Sequence, residues 1–535
     1  MRGAEVIARR LADAGCRWAF GIPGGEVLAL MEALDAAGLR FVLTKHENPA
    51  GFMAEGAWHA DGAPGVLLAT LGPGVANAVN VVANAQQDRV PLLFLTGRVN
   101  PGEAETYTHQ VFDHQALLRP VVKASFTVTA ETVGRVVDKA LILALEGQPG
   151  PVHLDVPIAV AEQEVPDDPQ AAAPPLRSAA VPLREDPVFA EAARLVQAAK
   201  RPLALAGVDA VNAGAGPAIT AFCRAGGVPL VTSYKGKGLL DEDDPLALGG
   251  AGLSPKADRL LLPLLDQADL VLLLGYDPIE MRVGWRDPWP AGIPVVELTP
   301  VPRTHGMHRV SHQFLGDPAK TLALLPRPAG PLWPGGEPAA VRRALREAFA
   351  PAGEAFGPAR VFETLRRVMP AATLATADSG AHRILLSQQW RCPSPRSLLQ
   401  SSALCTMGCA LPLAMGHKLA QPERPALVFV GDAGLEMVLG ELATLRDLGL
   451  PVIVCVLVDE SLALIELKQR SSQRGNLGVD FGGSDFPAIA RAFGGHGVWI
   501  DDAESLAEEA AAALERPSFT LLACRIGRKA YDGTF

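Results

Sequence analysis

Residues 425–459 read PALVFVGDAGLEMVLGELATLRDLGLPVIVCVLVD. Two apolar runs, LVFV and VIVCVLV, flank a segment of helical length. Each run has the length and near-continuous hydrophobicity of a strand buried on both faces of a sheet. Strand, helix and strand in that order predict a parallel βαβ unit. The first run ends at Gly431-Asp432 and the second at Asp459. If the strands are neighbours, both aspartates point into the crevice beyond the carboxyl ends of the sheet, where open α/β folds bind ligands.

The rest of the chain extends that pattern. In residues 1–165, short apolar runs at 18–20, 41–44, 65–70, 91–96 and 152–155 alternate with helical stretches. A second α/β block, 187–328, carries PLALAG, PLVTS, LVLLLG and PVVEL. A third, 340–535, carries TLATAD, PALVFVGD, PVIVCVLVDE and FTLLACRI. Residues 164–186 are rich in proline, alanine and charge, and PRPAGPLWPGGEP follows the second block; both read as linkers. The fold class is therefore α/β, with three doubly wound parallel-sheet domains. No short-period repeat is evident.

Composition excludes several classes. The net charge is −10 and no basic block is present, which argues against nucleic acid binding. The longest apolar runs fall short of a membrane span. The seven cysteines are scattered, odd in number and without a C-x-x-C pair. That usage fits a reducing compartment, and the expectation is a cytoplasmic protein.

Three local signals carry chemistry. Asp432 and Asp459 offer two hard oxygen ligands suited to Mg²⁺, which completes its shell with phosphate oxygens and water. Gly431, Ala433 and Gly434 are small enough for a diphosphate to approach the amides of a helix start. Glu47, in KHENPAGFMAEGAWHADG, opens a helix after a strand; buried among apolar neighbours, such a carboxyl transfers protons near neutral pH. Leu71-Gly72-Pro73-Gly74 is a small-residue turn into an Ala/Asn-rich helix. Taken singly, the first two read better as a turn with a helix cap and a helix-start acid, and the third reads equally as a plain strand-to-helix turn. No G-x-G-x-x-G or Walker loop follows a strand.

Together, and in this order, the stretches FGIPGG (20–25), KHENPAGFMAEGAWHADG (45–62), TLGPGVANAVN (70–80), VPLLFLTGRV (90–99) and GDAGLEM with VLVDES resemble the thiamine diphosphate (ThDP)-dependent decarboxylase and carboligase family over essentially the whole chain. The resemblance makes the three blocks pyrimidine-binding, central and diphosphate-binding domains. Within the family, Thr108-His109-Gln110, GYDPIE (275–280), LGVDFG (477–482) and the aspartate at 459 are most similar to catabolic acetolactate synthase.

The resemblance implies roles residue by residue. Glu47 would hydrogen-bond the aminopyrimidine and help activate the thiazolium. Met407 would hold the cofactor bent, and the carbonyl of Cys405 would receive the pyrimidine amino group. Asp432, Asp459 and the carbonyl of Ser461 would bind Mg²⁺. Gly380, Ala381, His382, Ala433 and Gly434 would touch the diphosphate. Pro23, Gly24, Gly74 and Leu462 would also contact the cofactor. His109 and Gln110 would lie near the thiazolium and the substrate. The implied reaction decarboxylates pyruvate and transfers the two-carbon unit to a second pyruvate, giving 2-acetolactate. FAD is not expected, because GYDPIE resembles the FAD-independent branch. Glu47 and the metal motif would meet across a subunit interface, making a homodimer the minimum active unit, commonly paired into a homotetramer.

Val458, Leu462, Ala463 and SSALCTMG (401–408) depart from the subgroup's pattern at positions flanking the substrate. Two alternatives follow: a ThDP-dependent 2-keto acid decarboxylase or carboligase with another donor or acceptor, and a non-catalytic regulatory protein on the same fold. Glu47 with both aspartates speaks against the second, since a non-enzyme has no need of an activating acid.

Overall fold

The computed structural model describes residues 1–166, 179–303, 305–353 and 355–535. Residues 167–178, the middle of the linker expected at 164–186, lie outside the described residues. The second linker is no free tether: Trp333 is buried and donates Nε1–H to the Pro202 carbonyl at 2.9 Å.

Among the described residues, eighteen strands form three six-stranded sheets in which every pairing is parallel. The first sheet contains β1 (Trp18–Ile22), β2 (Arg40–Leu43), β3 (Gly65–Ala69), β4 (Leu92–Arg98), β5 (Ala124–Thr127) and β6 (Pro151–Pro157). The central sheet contains β7 (Pro202–Ala206), β8 (Leu230–Ser233), β9 (Ala247–Ala251), β10 (Leu270–Leu274), β11 (Val295–Thr299) and β12 (His312–Leu315). The third contains β13 (Leu374–Ala377), β14 (Leu398–Gln400), β15 (Ala426–Gly431), β16 (Ile453–Val458), β17 (His496–Ile500) and β18 (Thr520–Arg525). The expected α/β class with three doubly wound sheets is what the chain adopts.

Sheet order places the crevices. The first sheet runs β2-β1-β3-β4-β6-β5 and the third runs β14-β13-β15-β16-β18-β17. Counted within each sheet these are one topology, 2-1-3-4-6-5. The central sheet runs β12-β11-β10-β7-β8-β9, which is 3-2-1-4-5-6 read from its other edge. Each order reverses beside its first strand, and the reversal opens a crevice at the strands' carboxyl ends. Those crevices lie between β1 and β3, between β7 and β10, and between β13 and β15.

The matching topology has a packing counterpart. Helix Glu47–Asp61 follows the second strand of the first sheet, and helix Ala410–Ala420 follows the second strand of the third. These two helices cross at backbone contact. A Cβ on Gly56 would lie 2.1 Å from the Leu413 carbonyl oxygen, and one on Gly416 would lie 1.9 Å from that of Met53. The glycines let the outer domains share one apolar core, which includes Phe52, Met53, Leu413 and Met415.

Candidate active site

The carboxyl ends of β13, β15 and β16 open into a cavity of 860 Å³. The residues expected there from the sequence converge on it: Gly380, Ala381, His382, Cys405, Met407, Asp432, Ala433, Gly434, Asp459, Ser461 and Leu462 all line its wall.

Asp432 and Asp459 are both buried. Asp432 Oδ2 accepts the backbone N–H groups of Asp459 (3.0 Å) and Glu460 (2.7 Å), and Oδ1 accepts that of Ala433 (2.9 Å). Asp459 Oδ1 accepts the N–H of Ser461 at 3.2 Å. Burial raises both carboxyls above their ordinary range. Asp459, with Asp432 beside it as the next cause, is pushed up to about 7. Two buried like-charged groups side by side are costly unless a cation lies against them. No group of three or more His, Cys, Asp or Glu side chains suited to a metal occurs among the described residues. A metal on this pair therefore needs further oxygens from phosphate, water or backbone, the mode preferred by Mg²⁺.

The side of the cavity at Gly380 and His382 has the chemistry to receive a diphosphate. The His382 ring is buried and its Nε2 has no hydrogen-bond partner; Ser379 Oγ is likewise buried and unpartnered. Burial, with Arg383 adjacent, lowers His382 to about 3, so the ring is neutral and one nitrogen can donate. A Cβ on Gly380 would lie 2.9 Å from that ring, and Gly380 has φ +155°. Only glycine leaves this cradle open.

Asp378, at the end of β13, is a site residue that sequence reasoning missed. It is fully buried and accepts the N–H groups of Gly408 (2.9 Å) and Cys409 (2.8 Å), fixing the loop that carries Cys405 and Met407. A Cβ on Gly434 would lie 2.1 Å from its Oδ2, so the helix start at Asp432 and this loop are held together. The available signal was the same as for Asp432: an acid closing an apolar strand. Helix Pro73–Asp88 holds the other flank of the loop. Asp88 accepts from the N–H groups of Ser402 and Ala403 at 2.9 and 2.8 Å. Lys235 of the central domain pairs with Asp88 at 2.9 Å. Cys405 itself has φ +56°, a strained conformation for a residue with a Cβ.

The other expected residues form a second cluster, at the β1/β3 crevice. Glu47 is buried and accepts from Asn77 Nδ2 at 3.0 Å. A Cβ on Gly74 would lie 3.4 Å from Glu47 Oε1 and 3.1 Å from Thr70 Cγ2; one on Gly24 would lie 2.2 Å from Thr70 Oγ1. Pro23 and Gly24 follow β1, and Gln110, at φ +58°, sits against Gly72. Gly72 N–H donates to His114 Nε2 at 3.2 Å, and His114 Nδ1 is bonded to Asp155 at 3.0 Å. His109 is exposed beside Gln110. Among the described residues none before Leu253 lines the 860 Å³ cavity, so the two clusters are separate within one chain.

Three family profiles match the same layout: the thiamine pyrophosphate enzyme N-terminal TPP-binding domain over residues 1–117, the central domain over 189–325 and the C-terminal TPP-binding domain over 378–524. The chain belongs to the thiamine pyrophosphate enzyme family. Thiamine pyrophosphate is ThDP under another name, and this protein is a ThDP-dependent enzyme. An acetolactate synthase large subunit of Parasynechococcus marenigrum (strain WH8102) is 31% identical, with 98% of this chain and 88% of the relative covered. A Pseudomonas aeruginosa protein described as "Probable 2-ketoarginine decarboxylase" is 30% identical, over 98% and 94%. The acetolactate synthase of Bacillus subtilis (strain 168) is 28% identical, over 95% and 90%.

Proposed function

We propose that this ThDP enzyme is an acetolactate synthase, joining two pyruvates with loss of one CO2. The observation that carries this reading is the cavity's charge. Apart from Asp432 and Asp459, no Asp or Glu side chain lines it among the described residues, whereas Arg282, Arg383 and Lys468 do. The remaining wall is largely apolar, with Leu253, Leu462, Ala463 and Ile465. That suits a small 2-keto acid whose carboxylate meets a cation and whose methyl group meets hydrocarbon. A guanidino side chain would need an acid that this wall lacks.

Bound ThDP supplies the reactive thiazolium and the electron sink for decarboxylation. The chain's own residues bind, orient and protect. Asp432 and Asp459, with the Ser461 carbonyl, would hold Mg²⁺; His382, Ala381 and Gly434 would receive the diphosphate. Met407 and the Cys405 carbonyl would set the orientation of the pyrimidine ring. Glu47, buried next to Gly74, would exchange a proton with that ring. The apolar wall keeps water from competing with the second keto acid.

Glu47 and Gln110 reach the metal half-site only if a second copy supplies them, so the proposed active unit is a homodimer. Large apolar side chains are exposed next to both half-sites: Leu28 and Leu43 near Gly24 and Glu47, and Met437 and Ile465 near Gly434 and Leu462. Such a patch of exposed hydrocarbon marks an association surface. No FAD is proposed. A nucleotide at the central sheet's crevice would meet a filled slot. Gln148 and Arg89 from the first domain bond Asp277 at 2.9 and 3.0 Å, and Arg303 bonds Asp209 at 3.2 Å.

Incubation with ThDP, Mg²⁺ and pyruvate tests the reading. Acetolactate, detected as acetoin after acid decarboxylation, is expected. Acetaldehyde alone would move the function to a simple decarboxylase. Turnover of 2-ketoarginine in preference to pyruvate would favour the second reading, which rests on the Pseudomonas relative.

A further inference from the structure

A second cavity, of 490 Å³, lies where the central and third domains meet, lined from β9, the helices Glu337–Ala348 and Pro358–Val368, and the end of helix Ala381–Gln389. Five arginines line it: Arg342, Arg346, Arg366, Arg367 and Arg391. Its two acids are already neutralised. Glu242 holds the lining Lys237 at 2.7 Å, and Glu363 pairs with Arg360 at 2.6 Å.

The arginines are poorly matched by carboxylates. Among the described residues Arg342 donates only to backbone carbonyls, those of Ala247 (3.1 Å), Glu242 (3.4 Å) and Asp243 (2.9 Å). Arg366 donates to the carbonyls of Met369 and Pro370 and stacks on Trp390, with one guanidinium nitrogen unpartnered. Arg367 makes no ion pair among the described residues. Arg346 and Arg391 share a single carboxylate, Asp243, at 3.5 and 2.7 Å. Guanidinium groups crowded in a cleft repel one another, on a chain whose net charge is −10. Burial lowers Arg342 and Arg366, with Arg346 and Arg391 respectively contributing to the shift. Charge held together against this cost is the arrangement that oxyanion sites use, and planar guanidinium forks suit phosphate and carboxylate.

We propose that this cavity binds a small multivalent oxyanion, with the apolar flank of Leu345, Phe349 and Phe362 receiving the body of an organic phosphate or polycarboxylate. The site is separate from the cofactor cavity yet joined to it. Helix Ala381–Gln389 begins with Ala381 and His382 in the cofactor cavity and ends with Gln388 and Gln389 in this one. Nine residues at 1.5 Å rise span about 13 Å. An anion that shifts the far end of this rigid element acts on the diphosphate cradle, and the coupling is reciprocal.

Isothermal titration and thermal melts of the protein saturated with ThDP and Mg²⁺ test this, in low-salt, phosphate-free buffer, with inorganic phosphate and L-malate as separate probes. At least one probe should bind saturably and raise the melting midpoint. Arg346→Ala/Arg367→Ala, which removes two exposed side chains, should weaken that binding about tenfold or more, because charge-assisted contacts are lost. The variant's ThDP binding and circular dichroism should be unchanged. Phosphate as the tighter probe identifies a phosphate ester; malate identifies a polycarboxylate. Absence of saturable binding by both probes, or equal binding by variant and wild type, overturns the proposal. Neither outcome bears on the pyruvate assay, so the two readings fail independently.

Discussion

Asp432 accepts the backbone N–H of Asp459 at 3.0 Å, so one candidate metal ligand positions the chain that carries the other. Asp432 thus has two duties, while the Asp459 side chain accepts only the N–H of Ser461.

That difference separates two alanine variants. Asp432→Ala should lower the melting midpoint of the protein without cofactor, because the N–H groups of Asp459 and Glu460 lose their acceptor at a cost of ~1–3 kcal/mol each. Asp459→Ala should leave that midpoint near or above wild type, since a carboxyl disfavoured by burial is removed. Both should abolish the further rise on adding ThDP and Mg²⁺. Thermal melts with and without the cofactor read all four values; equal midpoints without cofactor would refute the positioning role of Asp432.

Glu47→Gln keeps a side chain able to bond Asn77 but cannot exchange a proton. Turnover of pyruvate should fall by about 10²-fold or more, with ThDP affinity little changed. Steady-state kinetics beside a cofactor titration check this. A variant with wild-type turnover would remove Glu47 from the mechanism.

Replacing Gly416 by alanine should be among the most damaging single changes in the chain. The added carbon would fall 1.9 Å from the Met53 carbonyl, so two packed helices must part. A loss of several kcal/mol, or failure to fold, is expected from such overpacking. Gly38→Asn is the control: that site has φ +88° and nothing within 4 Å of a new Cβ, and asparagine tolerates the left-handed region. Comparable damage from both would mean that helix contact is not the cause.

Asp209 supplies a pH test. Burial, with Asp277 nearby and Arg303 opposing, raises it to about 6 from an ordinary 3.8. A raised acid binds its proton more tightly in the folded state. Its contribution to stability is therefore present at low pH and is lost as pH rises from about 4 through about 6. Asp209→Asn removes that loss. Relative to wild type, the variant's melting midpoint should rise between pH 4.5 and 6.5. Calorimetry at the two pH values decides, and a relative midpoint that falls would contradict the sign.

Thirteen of the eighteen strands were legible in the sequence as apolar runs, and all five that were not lie at sheet edges: β5, β9, β12, β14 and β17. Edge strands have one neighbour and some are partly exposed, so they need no continuous hydrophobicity, and β14, though buried, is only three residues long. Every residue of β5 is partly exposed, β12 buries only Phe314, and β9 contains two glycines. The cluster around Asp432 and Asp459 was legible because its residues sit in contiguous motifs at strand ends. Asp378 was missed although it too closes an apolar strand, because its work is done on backbone amides thirty residues away, which TLATAD alone does not show. The arginines of the second cavity come from separate elements and meet only in the fold.

The three sheets repeat one architectural slot and use it differently. The third opens its slot into the 860 Å³ cavity. The central one is riveted shut by Gln148 and Arg89, which reach in from the first domain to Asp209 and Asp277. A slot that elsewhere hosts a nucleotide here serves as a joint between domains. Fitting a dinucleotide there would take more than widening a pocket: each side chain withdrawn to make room would also remove a bond that ties the first domain to the central one.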